Sequence, residues 1–83
     1  MISRKLIRTD LNLLVALQIL LEERSVTRAA ERLSVSQPAL SKTLQKLRDS
    51  FEDELFTRTA HGLVPTPRAE ELAKELPSLL EKV

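Results

Sequence analysis

The stretch Val26 to Arg48, VTRAAERLSVSQPALSKTLQKLR, constrains the fold more than any other part of this chain. It reads as two amphipathic helices with room between them for only a tight turn. The first is expected over about Thr27 to Leu33, with Thr27 as its N-cap, because a threonine hydroxyl accepts from backbone N–H groups two or three residues on. Ala29 and Ala30 keep one face small enough for another helix to approach, and Leu33 closes that face. Ser34-Val35-Ser36 forms the turn, with Val35 expected to point inward as a plug. Ser36 then caps the second helix, and Pro38 falls in its first turn, where a missing N–H costs nothing. Leu40, Leu44 and Leu47, spaced four and three, share one face. Gln37, Ser41, Lys42, Gln45 and Lys46 lie largely off it.

A short helix, a tight turn and a longer helix with a polar, basic outer face is the helix-turn-helix pattern. In that arrangement the second helix enters the DNA major groove with its N-terminal end leading. The residue types at that end suit the task. Glutamine bonds bidentately to adenine, serine serves either base, and lysine reaches guanine or phosphate. A plain helical hairpin has the same periodicity, so the chemistry of the helix start is what points to nucleic acid.

Composition narrows the alternatives. A chain of 83 residues is one small domain with a modest core. It has no cysteine and a single histidine, His61, which excludes a disulfide framework, a thiolate zinc site and a histidine cluster. No cofactor or metal is expected. Nor is an enzyme expected, since there is no nucleophile–base pair beyond isolated serines and no glycine-rich phosphate loop. No apolar run approaches the roughly 18 residues needed to span a bilayer. The basic start, MISRKLIRTDLN, leads into an amphipathic helix rather than a signal-peptide core. A cytoplasmic protein with no membrane partner is therefore expected. The net charge of +1 hides an asymmetry. Residues 1–48 hold nine Lys/Arg against four acids, and residues 49–83 hold four against eight. A clustered positive face is what phosphate binding leaves in a sequence.

Taken in order, residues 1–9 read as a loosely ordered arm from which Leu6 and Ile7 could dock. Thr9 or Asp10 caps a first long helix running to about Arg24. Leu11, Leu14, Leu17, Leu20 and Leu21 form its inward stripe, widened by Leu13, Val15, Ala16 and Ile19. After Arg48 an acidic cluster, DSFEDE, ends the recognition helix at about residue 50, and Phe51, Leu55 and Phe56 are spaced to enter the core. Leu55 to Arg58 and Leu63 to Thr66 read as two short strands around Thr59-Ala60-His61-Gly62, whose glycine permits a positive φ. This hairpin is marginal alone and must lean on the helices through Phe56 and through Leu63 or Val64. Arg58 on the strand and His61 at the tip have two readings: contacts to a flanking minor groove or phosphate, or ordinary surface residues. Thr66-Pro67 is a sound helix start. Leu72, Leu76, Leu79 and Val83 then recur at heptad spacing, which serves either a dimer seam or packing on the chain's own domain. Pro77 deletes one helix bond and crowds the carbonyl of Ala73, so a kink or break is expected near Leu76.

With those residues in view, the chain resembles the N-terminal domain of LysR-type transcriptional regulators. The carriers are DLNLLVALQILLEERSVTRAAERLSVSQPALSKTLQKLR, then LFTR, then HGLVPTPRAEEL. The resemblance implies a mostly α winged helix-turn-helix: a three-helix core, a two-stranded wing and a linker helix. It places the DNA-binding unit over 1–66, with the wing at 55–66, and the linker over 67–83. It implies double-stranded DNA as partner, bound as an interrupted palindrome by a homodimer. Gln37, Pro38, Ala39, Ser41 and Lys42 would face the major groove. Thr27, Ser34, Ser36, Thr43 and Lys46 would touch phosphate. His61 stands at a wing position that is often basic, and Leu72, Leu76, Leu79 and Val83 would pair two subunits. Lys42 replaces the more usual arginine, which keeps charge but loses bidentate geometry. A glycine usual near Glu52 is missing, so the recognition helix is expected to run longer. The chain stops at Val83, where the family's effector-sensing domain would begin, so it is expected to hold no effector pocket. The competing expectation is a helical protein–protein module, favoured by the broad apolar face of the first helix and by the 72–83 seam.

Overall fold

The computed structural model describes residues 10–81. The arm at residues 1–9, with Leu6, Ile7 and the Thr9 cap, and the seam residue Val83 lie outside the described residues. Four helices and one hairpin follow one another: α1 (Leu11–Glu23), α2 (Val26–Leu33), α3 (Gln37–Phe51), β1 (Phe56–Thr59), β2 (Gly62–Pro65) and α4 (Pro67–Glu81). The mostly helical winged fold expected from the sequence is what forms.

Each helix starts on a side-chain cap. Asp10 Oδ1 accepts from the backbone N–H of Asn12 at 2.7 Å and opens α1. The cap of α2 is Ser25 and not Thr27: Ser25 is extended (φ −150°, ψ 126°) and its Oγ accepts from the N–H of Arg28 at 3.2 Å. A cap residue needs non-helical backbone. Arg24, left-handed at φ 53°, has just ended α1, which leaves Ser25 extended and Thr27 already inside the helix. Ser36 caps α3 as expected, accepting from Ala39 N–H at 3.2 Å.

The turn between α2 and α3 is held by backbone bonds rather than by a plug. Ser34 is left-handed (φ 57°), its N–H donates to Glu31 O at 3.1 Å, and Val35 N–H donates to Ala30 O at 3.0 Å. This closure satisfies the last carbonyls of α2 and leaves Val35 44 % exposed. Its side chain borders a shallow cleft with Ala16, Leu33 and Leu40.

The expected lengthening of α3 does not occur. Glu52 takes the left-handed conformation itself (φ 53°, ψ 43°), and its N–H donates to Arg48 O. A residue with a Cβ bears that turn at a cost of about 1–2 kcal/mol. Leu55 is left-handed too, at φ 66°. These two reversals turn the chain back along α3 into the hairpin, where Phe56 pairs with Pro65, Arg58 with Leu63 and Thr59 with Gly62. Gly62 (φ 110°) lies so close to the end of α1 that a Cβ there would sit 2.7 Å from Arg24 O. The neighbouring N–H, of Leu63, donates to that same oxygen at 2.9 Å. Backbone therefore fastens the wing to the α1–α2 turn.

Thr66 caps α4, its Oγ1 accepting from Ala69 N–H at 3.2 Å. The helix continues through Pro77 to Glu81, so the expected break is absent. Pro77 is exposed, which leaves its ring on the solvent side.

The core is leucine-rich and continuous across all four helices and the hairpin. Leu17, Leu20, Leu47, Leu55, Phe56, Leu72 and Leu76 are completely buried. One sequence expectation fails here: Leu11, at the first position of α1, is 47 % exposed rather than inward. Of the alternatives Leu63 and Val64, buried Leu63 anchors the wing and Val64 is 45 % exposed. Leu72 and Leu76 lie in the core of their own domain, which leaves only half-buried Leu79 of the described seam residues free to meet a partner. Among the described residues, no helix is long and apolar enough to cross a membrane.

Candidate nucleic-acid interface

The start of α3 is built as a polar edge on an apolar base. Leu40, Leu44 and Leu47 are 1, 2 and 0 % exposed and fix the helix to α1 and α2. Gln37, Pro38, Ala39, Ser41 and Lys42 are all exposed, as are Gln45 and Lys46. The helix is 15 residues long, about 22 Å. Its exposed flank is thus long enough for several adjacent base pairs.

The hydroxyls differ in what they have left to offer. Ser36 spends a lone pair on its cap and keeps its proton. Thr27 and Ser34 are exposed, and their hydroxyls carry no hydrogen bond among the described residues. Thr43 is half-buried and its hydroxyl donates back to Ala39 O at 3.1 Å. A phosphate would have to take that proton away, which weakens the expectation placed on Thr43.

Two clefts show which expected residues come together. One, about 230 Å³, joins the start of α2, the start of α3 and the wing, and is lined by Thr27, Gln37 and Arg58. The cause is strand alternation. Phe56 points into the core, so Arg58, two residues on, lies on the same helix-facing side opposite buried Leu63. Arg58 therefore accompanies Gln37 and does not stand out at the wing tip. That alternation was available in LFTR and could have been read there. Ser25 and Thr59 also line the cleft, and neither was singled out from sequence as a site residue. The second cleft places Thr43 and Lys46 beside Asp10 and Asn12 at the start of α1.

His61 is exposed at the hairpin tip. The tip is shaped by Thr59, whose hydroxyl donates to Gly62 O at 2.9 Å and accepts from His61 N–H at 3.1 Å.

The positive half of the sequence is thinner at this face than the residue count suggests. Arg32 is held by Glu22 at 2.6 Å and Glu23 at 3.0 Å. Its hydrogen bond, with that of Gln18, holds the Glu22 carboxyl below the usual glutamate value, and the two glutamates raise the Arg32 guanidinium. Arg48 is turned away, donating to Glu54 O at 2.8 Å and Phe56 O at 3.2 Å. Arg24 Nε donates to Leu21 O at 3.3 Å. Arg28, Lys42, Lys46 and Arg58 carry no side-chain hydrogen bond or ion pair among the described residues. With Lys74, exposed on α4, these four are the described cations left without a partner, and they are the ones carried by α2, α3 and the wing. No group of His, Cys, Asp or Glu among the described residues is placed to hold a metal ion.

Known proteins share this arrangement. "HTH-type transcriptional regulator SyrM 2" of Sinorhizobium fredii is 54 % identical over 74 residues, covering 89 % of this chain and 22 % of the relative. "Nodulation protein D 1" of Bradyrhizobium japonicum is 58 % identical over 64 residues, covering 77 % of this chain and 20 % of the relative. The chain thus spans about a fifth of the length of these curated relatives. Among solved structures, the probable transcriptional regulator PA0477 of Pseudomonas aeruginosa superposes with a TM-score of 0.86 at 41 % identity, over 94 % of this chain and 26 % of that one. The BenM DNA-binding domain, in a complex with catB site 1 DNA, gives a TM-score of 0.83 at 28 % identity, over 89 % of this chain and 83 % of that one. Residues 11–70 match the family described as "Bacterial regulatory helix-turn-helix protein, lysR family". With that match covering most of the sequence and every element of the winged fold in place, the chain belongs to the LysR family of bacterial transcriptional regulators and carries its winged helix-turn-helix DNA-binding domain.

Proposed function

We propose that α3 lies in the major groove of double-stranded DNA with Gln37, Pro38, Ala39, Ser41 and Lys42 against base edges. The observation that carries this reading is the contrast along one helix: an exposed, largely polar start above leucines with almost no exposure. Ser36, Ser34, Thr27 and Lys46 bond phosphates on either side, and Arg58 joins them from the wing through the cleft it shares with Gln37. His61, at the tip, reaches the flanking minor groove. In this reading the unit up to residue 66 recognises DNA and α4 is the linker. Two copies meet through the outer face of α4, at Leu79, and bind an interrupted palindrome to regulate transcription in the cytoplasm. Any small-molecule effector would act through a separate domain. Support comes from the family match and from the likeness to a domain solved with DNA.

The deciding experiment is selection of bound sequences from random duplexes, followed by titration at several salt concentrations. Enrichment of a two-fold symmetric site with steep salt dependence is expected. Retention that is weak and indifferent to salt would reject the reading in favour of a helical protein–protein module. Lys46→Ala is expected to weaken binding to all sequences alike and to lower the salt slope by about one. Loss on one sequence only would make Lys46 a base reader.

A further inference from the structure

We propose that Asp53 is a positioning residue: it clasps the exit of α3 to the start of α4 and so sets the direction of the linker helix relative to the recognition helix. This rests on the DNA-binding reading above and adds to it a residue that touches no DNA.

The end of α3, the entry to the wing and the start of α4 meet at one residue, Asp53. Asp53 Oδ2 accepts from Thr66 Oγ1 at 2.7 Å and from Leu55 N–H at 2.8 Å. Its own N–H donates to Arg48 O at 3.2 Å, in the last turn of α3. Thr66, the other party, is the N-cap of α4: Oγ1 accepts from Ala69 N–H and the Thr66 carbonyl accepts from Glu70 N–H at 3.0 Å. Thr66 N–H also donates to Leu55 O at 2.9 Å. A hydroxyl with its proton committed to Asp53 and a lone pair committed to Ala69 has one orientation. The clasp is reinforced by Arg68, whose Cζ lies 6.0 Å from the centre of the Phe51 ring.

Apolar packing alone does not do this work. Ala69, Leu72 and Leu76 bury α4 against the core, but apolar contact is non-directional, and a helix resting on leucines can slide or turn. Short charged hydrogen bonds have direction. They lie at the N-terminal end of α4, where a small rotation becomes a large displacement at Glu81. In a dimer paired through α4, that displacement is a change in the distance between two recognition helices, and hence in the half-site spacing the protein accepts.

The chain has no cysteine, so paired spin labels go only where they are introduced, at Asp49→Cys and Lys74→Cys, two exposed positions on α3 and α4. A single narrow distance distribution is expected in the parent. Asp53→Ala is expected to broaden or shift it, and Asp53→Asn, which keeps an acceptor oxygen, to restore it. On DNA carrying two half-sites at varied separation, Asp53→Ala should flatten the spacing preference at least threefold while single half-site affinity stays within about twofold. An Asp53→Ala distribution and spacing profile matching the parent overturn the proposal, as does a parent that binds DNA without any spacing preference. A parent that fails to bind DNA at all rejects the functional reading instead, and the label distances still decide whether the clasp orients α4.

Discussion

The two ends of α3 are made from similar residues and put to opposite uses. At the start, Gln37, Ser41 and Lys42 are exposed and uncommitted. At the far end, polar side chains of the same kinds are tied down. Gln45 Nε2 donates to Asp49 Oδ1 at 3.1 Å, Arg48 bonds two carbonyls beyond the helix, and Asp53 holds Thr66. The difference teaches where a ligand is expected. A polar side chain held in solvent without an internal partner keeps its hydrogen-bonding capacity for something that arrives later. One that satisfies its own fold has none to spend. Charge follows the same division, with Lys42 toward the start and Glu52, Asp53 and Glu54 gathered at the end around a wide cleft. A polyanion is drawn to the first end and turned away from the second.

The largest effect should come from abolishing the distinction altogether. Leu44, 2 % exposed, supports both ends. Leu44→Ala is expected to cost about 2–5 kcal/mol through lost burial and the cavity left behind. For so small a core that is most of the folding free energy. Urea unfolding followed by circular dichroism would register it, and DNA binding should vanish with the fold. A loss under 1 kcal/mol would mean that α3 is not seated on its leucines.

Gln37→Ala should separate the two ends. It removes an exposed side chain that the fold does not use, so the unfolding midpoint should not move. Binding to the selected site should weaken by about 1–3 kcal/mol, with preference blurred at one base pair. Unchanged affinity in a gel-shift titration would take Gln37 out of the interface and shift the reading of bases to Ser41 and Lys42.

The far end alone should respond to acid. Hydrogen bonds from Thr66 and Leu55, with the charge of Arg68, hold the Asp53 carboxyl below the usual aspartate value. A carboxyl depressed by folding stabilises above its unfolded pKa and loses that contribution as pH falls through the lower folded one. Stability should therefore be flat from neutral pH down to about 4 and then fall, by an amount on the order of 1 kcal/mol for this group. Asp53→Asn should remove its share of the acid slope. Glu22, depressed in the same sense by Arg32 and Gln18, contributes to the slope and should persist in the variant.

Periodicity made much of this legible in advance. The spacing of Leu40, Leu44 and Leu47 could only be the underside of a helix, and Phe51, Leu55 and Phe56 could only turn inward. The Ser36 and Thr66-Pro67 starts were also readable, because side-chain caps are local chemistry. What escaped the sequence was decided by backbone conformation or by which neighbour claimed a surface. Ser25 and Thr27 are both competent caps, and the left-handed Arg24 chose between them. Val35 could plug or surface, and backbone bonds to Ala30 released it. Leu72 and Leu76 have the spacing of a dimer seam, yet the same spacing fits the groove of their own core, which took them. At the site, exposure of the α3 start was predictable, whereas the company Arg58 keeps required knowing that Phe56 fixes the face of the wing.

The smallest effect bears on the boundary between the two ends. Glu52 ends α3 in a left-handed conformation at φ 53° that its Cβ disfavours, and glycine takes that conformation without strain. Glu52→Gly also gives the unfolded chain more freedom, which offsets part of the gain. The balance is a stabilisation of about 0.5–1 kcal/mol, visible as a small rise in the urea midpoint at unchanged slope. DNA affinity should stay the same apart from a slight gain at low salt from the lost negative charge. A destabilised Glu52→Gly protein would mean that the side chain, and not merely the conformation, holds the turn, and the committed end of α3 would then extend one residue further than its hydrogen bonds indicate.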